Sequence, residues 1–472
     1  MIMSKSERIL AIVVVALAPL AVYALTLLQP TFDDWTYLTY PNEDPHRMKY
    51  FMPYGDYWRP IDALVGYVVA TDLRLFPALN HILVAIGHLA GACMVWLLGR
   101  RMTLSAPARI VATLFFLLSP AMLGTVLGID SINQVFSSTL GLIALWAYLG
   151  HSAARLWVWA VMGVIATFAK ENGMMWLPIA PLLGYAFRMT DRKTLFRHLA
   201  VAAGIIAAYL LIRHSLPHYN IQENNVYAVG GMMPRVANVA KFIILTFASV
   251  DFISIFHPAD RTVPFLLLTI ALSAPFLVML AMRGAQSMRS REPLMLALTV
   301  LMAASPHLLT VFSTMHAYAA LGLVALLVGR VIDHDAARRC TLAITFALYM
   351  LSALMVDARH YLKAYRSGIT GRQMADAVIR QAPKPARKAW CVCIDNGEQK
   401  YSSFCVIPYD AFGWGNAVYW RTRHRWPKTL GSEIVTAADA RHGLDSIVRA
   451  KWHEGYDQVW VVNGRDVKVI IP

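Results

Sequence analysis

Charge is scarce in this chain. Asp, Glu, Lys and Arg together make up 15% of the residues, and hydrophobic residues make up 57%, against roughly 25% and 45–50% in a soluble domain. The apolar excess falls in repeated blocks long enough to cross a bilayer, which excludes a cytosolic enzyme, a fibre and a disordered chain. Glycine (27) and proline (23) are close to average for 472 residues, so neither collagen nor a low-complexity linker is in play. Only five cysteines are present. Cys93 and Cys340 lie in or beside apolar spans. Cys391-Val-Cys393 lacks zinc-ribbon spacing, and with Cys405 it leaves room for one disulfide if the tail is outside the cytoplasm. Gly-x-Gly-x-x-Gly, Walker and His-Glu-x-x-His motifs are missing, so nucleotide-driven transport has no support. Acidic residues are outnumbered 28 to 43, giving +15. In a membrane protein that surplus belongs to cytoplasmic loops and anionic headgroups, so membrane lipids and not nucleic acid are the expected partners.

Lys5 and Arg8 precede an apolar run, Ile9 to Leu28, with no small-x-small cleavage site after it. Its ~20 residues exceed the h-region of a signal peptide, so it reads as a retained first span with the N-terminus inside. Further spans are expected near 76–99, 109–128, 135–150, 155–169, 173–188, 196–213, 262–282, 294–306, 310–330 and 339–357. Arg100, Arg101 and Arg109 form one basic loop. Arg188, Arg192, Lys193 and Arg197 form a second, Arg283, Arg289 and Arg291 a third, and Arg338 with Arg339 a fourth. The positive-inside rule places all four in the cytoplasm. Alternation satisfies this only if 241–256, which carries Lys241 and Asp251, is an interfacial or re-entrant outer segment. The expectation is a polytopic α-helical membrane protein of about eleven transmembrane helices.

That topology turns 29–75, 214–261 and the tail outward. The spans and their outer loops make a membrane domain over 1–357. The tail, 358–472, is basic, with short apolar blocks separated by Asp395-Asn396-Gly397 and Asn463-Gly464. It reads as a small α/β or α+β domain on the non-cytoplasmic side, with helices at Met374 to Ile379 and Ala437 to Lys451.

Thr31-Phe32-Asp33-Asp34-Trp35 follows the first span within a few residues, and Tyr57-Trp58-Arg59-Pro60 lies in the same outer loop. Paired carboxylates, a forked guanidinium and aromatic faces suit a phosphate-linked sugar, although aromatics at this depth also form the ordinary interfacial belt. Lys170-Glu171 interrupts an apolar stretch from 156 to 187, where ionisable residues are either functional or paired with each other. Arg213 and His214 end a span and could snorkel. Arg235 follows Gly230-Gly231-Met-Met-Pro. His316 and Tyr318 lie at the outer end of a late span, as ligand contacts or as packing. The loop from His214 through His218 to Asn225 is polar, with Gly230-Gly231 as a hinge, and Pro217 argues against a helical His pair holding zinc.

The series Phe32-Asp33-Asp34-Trp35, Tyr57-Trp58-Arg59-Pro60 and Ala78-Leu79-Asn80-His81 resembles the GT-C polytopic membrane glycosyltransferases. Within them it is most similar to bacterial relatives of protein O-mannosyltransferases and lipid A aminoarabinose transferases. Ala169-Lys170-Glu171-Asn172-Gly173 and Tyr318 add to the likeness, which covers about residues 9–330. Many relatives have His-Pro and an acid after the third span; here Ser119-Pro120 and Asp130 stand there.

The resemblance implies a GT-C-like fold in a bacterial inner membrane, with the active site facing the periplasm. It implies a polyprenyl-phosphate sugar donor of the undecaprenyl type, and a glycolipid, polysaccharide or protein acceptor. Asp33 or Asp34 would be the base, or would hold a metal such as Mg2+ or Mn2+ and orient the acceptor. Tyr57, Trp58, Arg59, Asp130, Lys170, Glu171, Arg213, His214, His218, Arg235, His316 and Tyr318 would line the substrate site. The chemistry asks for a carboxylate to take the acceptor proton and for positive charge on the departing phosphate. No metal is required for this. A transporter or flippase, or a non-catalytic envelope subunit, are the competing readings; the first fits poorly because the chain shows no internal repeat.

Overall fold

The computed structural model describes residues 3–30, 34, 51–53, 58–65, 77–150, 153–217, 231–256, 261–310, 312–333, 339–395, 417–422, 425–426, 431–464 and 466–472. The chain is a multi-pass membrane protein with an extramembrane α/β domain. Among the described residues seven helices are long and apolar enough to cross a bilayer, or eight if one bent pair is counted as a span. They are α1 (Lys5–Thr26), α2 (Pro77–Arg101), the pair α3 (Ala106–Leu118) and α4 (Leu123–Val126), and then α8 (Arg192–Ser215), α11 (Val263–Ser287), α12 (Arg291–Leu309), α13 (Thr314–Asp333) and α14 (Arg339–Gln381).

The expectation of about eleven spans is therefore corrected. The stretches at 135–150, 155–169 and 173–188 form α5 (Ile132–Tyr148, 17 residues), α6 (Ala153–Ala169, 17 residues) and α7 (Trp176–Ala186, 11 residues). Hydropathy runs on across the breaks that shorten them. The turn at Lys170 and the 3-10 segment Glu171–Met175 separate α6 from α7, and Ser119-Pro120 bends α3 away from α4 by 42°. The segment 241–256 becomes α9 (Met232–Phe247) and α10 (Phe252–Phe256), 16 and 5 residues long.

α13 is the axis of the bundle. It is apolar on every face, so burial on every face is its stable solution, and 89% of its apolar window is enclosed. Glycines let neighbours approach: a Cβ on Gly322 would meet Leu142 of α5 at 2.9 Å, and one on Gly124 would meet Thr314 at 2.4 Å. By contrast, only 17% of the α8 and α11 windows and none of the α1 window is covered. Their exposed leucines, isoleucines and valines suit lipid contact.

The described residues of the first three basic loops gather at one end of the bundle, and Arg338 of the fourth lies outside the described residues. Arg109 bonds Glu7 (2.7 Å), Arg101 bonds the Trp146 carbonyl, and Arg291 lies over Tyr185 at 3.5 Å. Arg330 pairs with Glu292 and sits over Phe187.

α14 runs unbroken for 43 residues, roughly 65 Å at 1.5 Å per residue. It crosses the expected domain boundary at 357/358, absorbs the helix expected at Met374 to Ile379, and docks on the α/β domain. There Gln381 donates to the Val467 carbonyl (2.7 Å) and accepts from Val469 N–H (3.1 Å). The domain is a four-stranded sheet, β1 (Ala389–Asp395), β2 (Gly431–Thr436), β3 (Gln458–Asn463) and β4 (Asp466–Ile470), ordered β2-β1-β3-β4. β1 pairs in parallel with β2 (Val392 opposite Glu433) and β3 (Val392 opposite Val461), and β4 closes antiparallel. One face (Cys391, Cys393, Trp460, Val462) joins the main core with Met374 and Val378 of α14. Val392, Val459 and Val461 on the other face meet α16 (Ala437–His453). A short helix α15 (Ala417–Arg421) ties back through Arg421 to Asp376 (2.7 Å). The block at Phe404 to Ile407 lies outside the described residues.

Candidate active site

The site is built at the end of the bundle opposite the basic loops, where α5 begins and α6 ends. Asp34 comes just after α1 and is 1% exposed. Its Oδ1 accepts the backbone N–H groups of Ile129 (2.6 Å) and Asp130 (3.0 Å). These donors lie in the turn before α5 and fix Asp34, just beyond α1, to the bundle. Asp130 is hydrogen-bonded to Asp34 and Ser131, and burial raises its carboxyl above the usual carboxylate range against the pull of Lys170.

Lys170 caps the 3-10 turn after α6 and is 6% exposed. Burial pushes its ammonium down to about 8, with Arg59 adding to the shift and Asp130, Glu171 and Asp62 opposing it. Beside it, Arg59 Nε donates to Glu171 Oε2 at 2.8 Å, and Trp58 N–H donates to Glu171 Oε1 at 2.9 Å. Glu171 therefore holds two consecutive residues of the segment between α1 and α2. Tyr209 of α8 donates to the Trp58 carbonyl (3.2 Å) and stacks on its ring at 5.3 Å, while Phe168 meets the indole in an edge-on contact at 5.1 Å. Trp58-Arg59 is thus gripped by three elements, and the guanidinium stays partly exposed.

Asp62, in the helical stretch 60–65 one turn beyond Arg59, completes the cluster. Its Oδ2 accepts from Asn133 Nδ2 (3.1 Å), and burial pushes its carboxyl up to about 6, opposed first by Arg59. Asn133 also donates to the Asp130 carbonyl (3.1 Å). Chemically, the cluster offers two cations for a phosphate, with carboxylates within electrostatic reach to take a proton or to receive hydroxyl hydrogen bonds.

The structure thus brings together Asp34, Trp58, Arg59, Asp130, Lys170 and Glu171. Arg213, half-buried near the end of α8, acts electrostatically on Tyr209 together with Glu171 and Arg59, so it borders the cluster. His214 and Arg235 are exposed on α8 and α9. His316 is buried and stacks on His307 of α12 at 3.9 Å and 12°, and His307 in turn feels Lys170 and Arg59. Tyr318 lies deeper: its hydroxyl meets His88 Nδ1 (2.9 Å) in a cluster with Phe116, which is a core position. Asp33, Tyr57 and His218 lie outside the described residues. Among the described residues, no three His, Cys, Asp or Glu side chains converge as a metal site.

Asp62, Asn133, Asn172 and His307 are members that sequence reasoning did not single out. The signals were present. Asp62 is three positions after Arg59, on the same helical face, and Asn133-Gln134 is a polar pair inside an apolar run.

No family model matches the sequence, and no curated protein matches it. Solved structures do. ArnT from Cupriavidus metallidurans bound to undecaprenyl phosphate aligns over 99% of this chain and 98% of its own, with 12% identity and a TM-score of 0.55. The same protein in the apo state aligns over 97% and 93%, with 12% identity and a TM-score of 0.54. The fold is thus similar to that of ArnT along nearly the whole chain, including the tail, which the sequence resemblance did not reach.

Proposed function

We propose that this protein is a membrane glycosyltransferase that moves a sugar from a polyprenyl-phosphate donor to an envelope acceptor. The observation that carries the reading is Lys170, buried beside Arg59 and within electrostatic reach of Asp62, Asp130 and Glu171. A buried ammonium is costly unless something negative is meant to meet it, and a lipid-linked phosphate supplies that charge. The fold of ArnT, a structure with undecaprenyl phosphate bound, agrees with such a donor.

In this mechanism Lys170 and Arg59 hold the donor phosphate. A carboxylate of the first outer loop, Asp33 or Asp34, takes the proton of the acceptor hydroxyl as its oxygen attacks the anomeric carbon. The bond from that carbon to the phosphate oxygen breaks, the anomeric centre inverts, and the released lipid phosphate keeps the electron pair, stabilised by the two cations. Asp34, anchored by two N–H donors, also sets the Asp130 turn. The acceptor is a glycolipid, a polysaccharide or a protein. Gathering of the basic loops at the other end supports placing that end in the cytoplasm, with the site and the α/β domain on the periplasmic face of a bacterial inner membrane.

The test is sugar transfer from a purified polyprenyl-phosphate donor by Asp33→Asn and Asp34→Asn, made singly. Loss of turnover in at least one is expected. Full turnover in both removes the chemistry, and movement of labelled lipid across vesicles without a new glycosidic bond would favour a flippase.

A further inference from the structure

Three oxygen atoms in the candidate site lack donors. Asp62 Oδ1, Asn133 Oδ1 and Asn172 Oδ1 are each closed off from solvent with no hydrogen-bond partner among the described residues. Asn133 and Asn172 are only 7% and 8% exposed. Their amide nitrogens are already committed, Asn133 Nδ2 to Asp62 and the Asp130 carbonyl, and Asn172 Nδ2 to Gln134 Oε1 at 3.3 Å. Gln134 in turn bonds Ser138 through its Nε2 (3.2 Å). Turning the Asn133 amide over would set its oxygen against Asp62 and the Asp130 carbonyl, so there the acceptor is the free end, and the Asn172 amide is oriented the same way.

An orphaned buried acceptor costs about 1–3 kcal/mol, and native interiors hold few of them. Here one lies on Asp62, one on its partner Asn133, and one on Asn172, whose own partner Gln134 follows Asn133 in the chain, and all three are oxygens. What would satisfy them is a ligand carrying several hydrogen-bond donors. Arg59 and Lys170 both act on Asp62, so that ligand group lies next to the place where the phosphate is held.

We infer that Asp62, Asn133 and Asn172 form the sugar subsite of the donor, receiving hydrogen bonds from hydroxyls of the glycosyl group while Lys170 and Arg59 hold its phosphate. This rests on the reading of the site as one for a lipid-phosphate sugar. It deepens that reading by giving the subsite a preference: a hydroxyl-bearing pyranose is recognised, and a carrier without its sugar leaves the three acceptors unsatisfied. Asp62 is ionised above pH of about 6, so at neutral pH its hydrogen bond from a hydroxyl is charge-assisted.

The experiment measures binding of the full chain to undecaprenyl phosphate and to undecaprenyl phosphate carrying glucose, mannose or galactose, for wild type, Asp62→Ala and Asn172→Ala. The expected result is that wild type binds at least one glycosylated carrier about tenfold tighter than the bare one, and that each variant loses that advantage, about tenfold per hydrogen bond. The readout is the ratio of glycosylated- to bare-carrier affinity in each protein, and the melting temperature of each variant shows that it is folded. The inference is overturned if none of the three sugars improves wild-type binding, or if the variants weaken bare and glycosylated carriers alike. It also falls if they change neither, or if chelation with EDTA removes the sugar advantage, which would mean that the oxygens serve a cation. Failure of wild type to bind the bare carrier at all is a different result, and it strikes the lipid-phosphate reading itself.

Discussion

Two knots of buried charge lie at opposite ends of α1, and they are built differently. At the Ser4 end, Glu7 is 2% exposed and fully partnered. Its Oε1 takes bonds from Arg109 (2.7 Å) and Trp96 Nε1 (3.1 Å), and its Oε2 takes one from Ser4 N–H (2.9 Å), within a capping box that starts the helix. At the Asp34 end, Lys170 is nearly as buried, yet Asp62, Asn133 and Asn172 are left with unmet oxygens. Buried charge alone therefore does not mark function in this molecule. A closed network rigidifies, and an open one waits for a ligand.

Substitutions can break that contrast. The largest effect is expected from Lys170→Ala, a loss of about 10²–10³ in turnover, as for removal of a donor that stabilises developing negative charge. Single-turnover transfer assays read it, with folded yield retained. Glu7→Gln should do the reverse. Stability falls by about 2 kcal/mol, the scale of a hydrogen bond to a charged group, while turnover per folded molecule is unchanged; denaturation and transfer measured on one sample separate the two. Arg59→Lys keeps the charge and loses the fork that meets Glu171. It should raise KM about tenfold with a smaller change in kcat.

The smallest effect is on pH. Lys170, lowered to about 8, loses its proton as pH rises through 8, so donor affinity should fall several-fold between pH 7 and 9. Between 8 and its ordinary value the unfolded chain still holds the proton that the native chain has released, so stability rises with pH while binding falls. Lys170→Arg should remove the binding limb.

The motifs that carry the site could be read from the sequence because each is short and lies next to a chain feature. Asp34 follows the first span, Arg59 is in the same loop, and Lys170-Glu171 interrupts an apolar run. Residues that act through tertiary contact could not be read in the same way. Asp62 is one polar residue among many in the stretch 29–75, and only the bond from Asn133 joins it to the site. Tyr318 looked like a ligand contact until its hydroxyl was found on His88. The span count failed for a related reason: hydropathy measures what a segment is made of, whereas α5 and α7 are apolar because they are buried in protein. In the tail, Gly431-Ser-Glu-Ile-Val-Thr436 is too polar to announce a strand, and only its pairing with β1 makes it one.

The most direct test of the lipid-phosphate site is a density map of the purified protein with undecaprenyl phosphate. The account predicts the phosphate within hydrogen-bond reach of Lys170 Nζ and the Arg59 guanidinium, at the Asp34 end of the bundle. A phosphate bound at the opposite end, in the cleft of about 330 Å³ beside Tyr148 and His198, with Lys170 left unengaged, would contradict it.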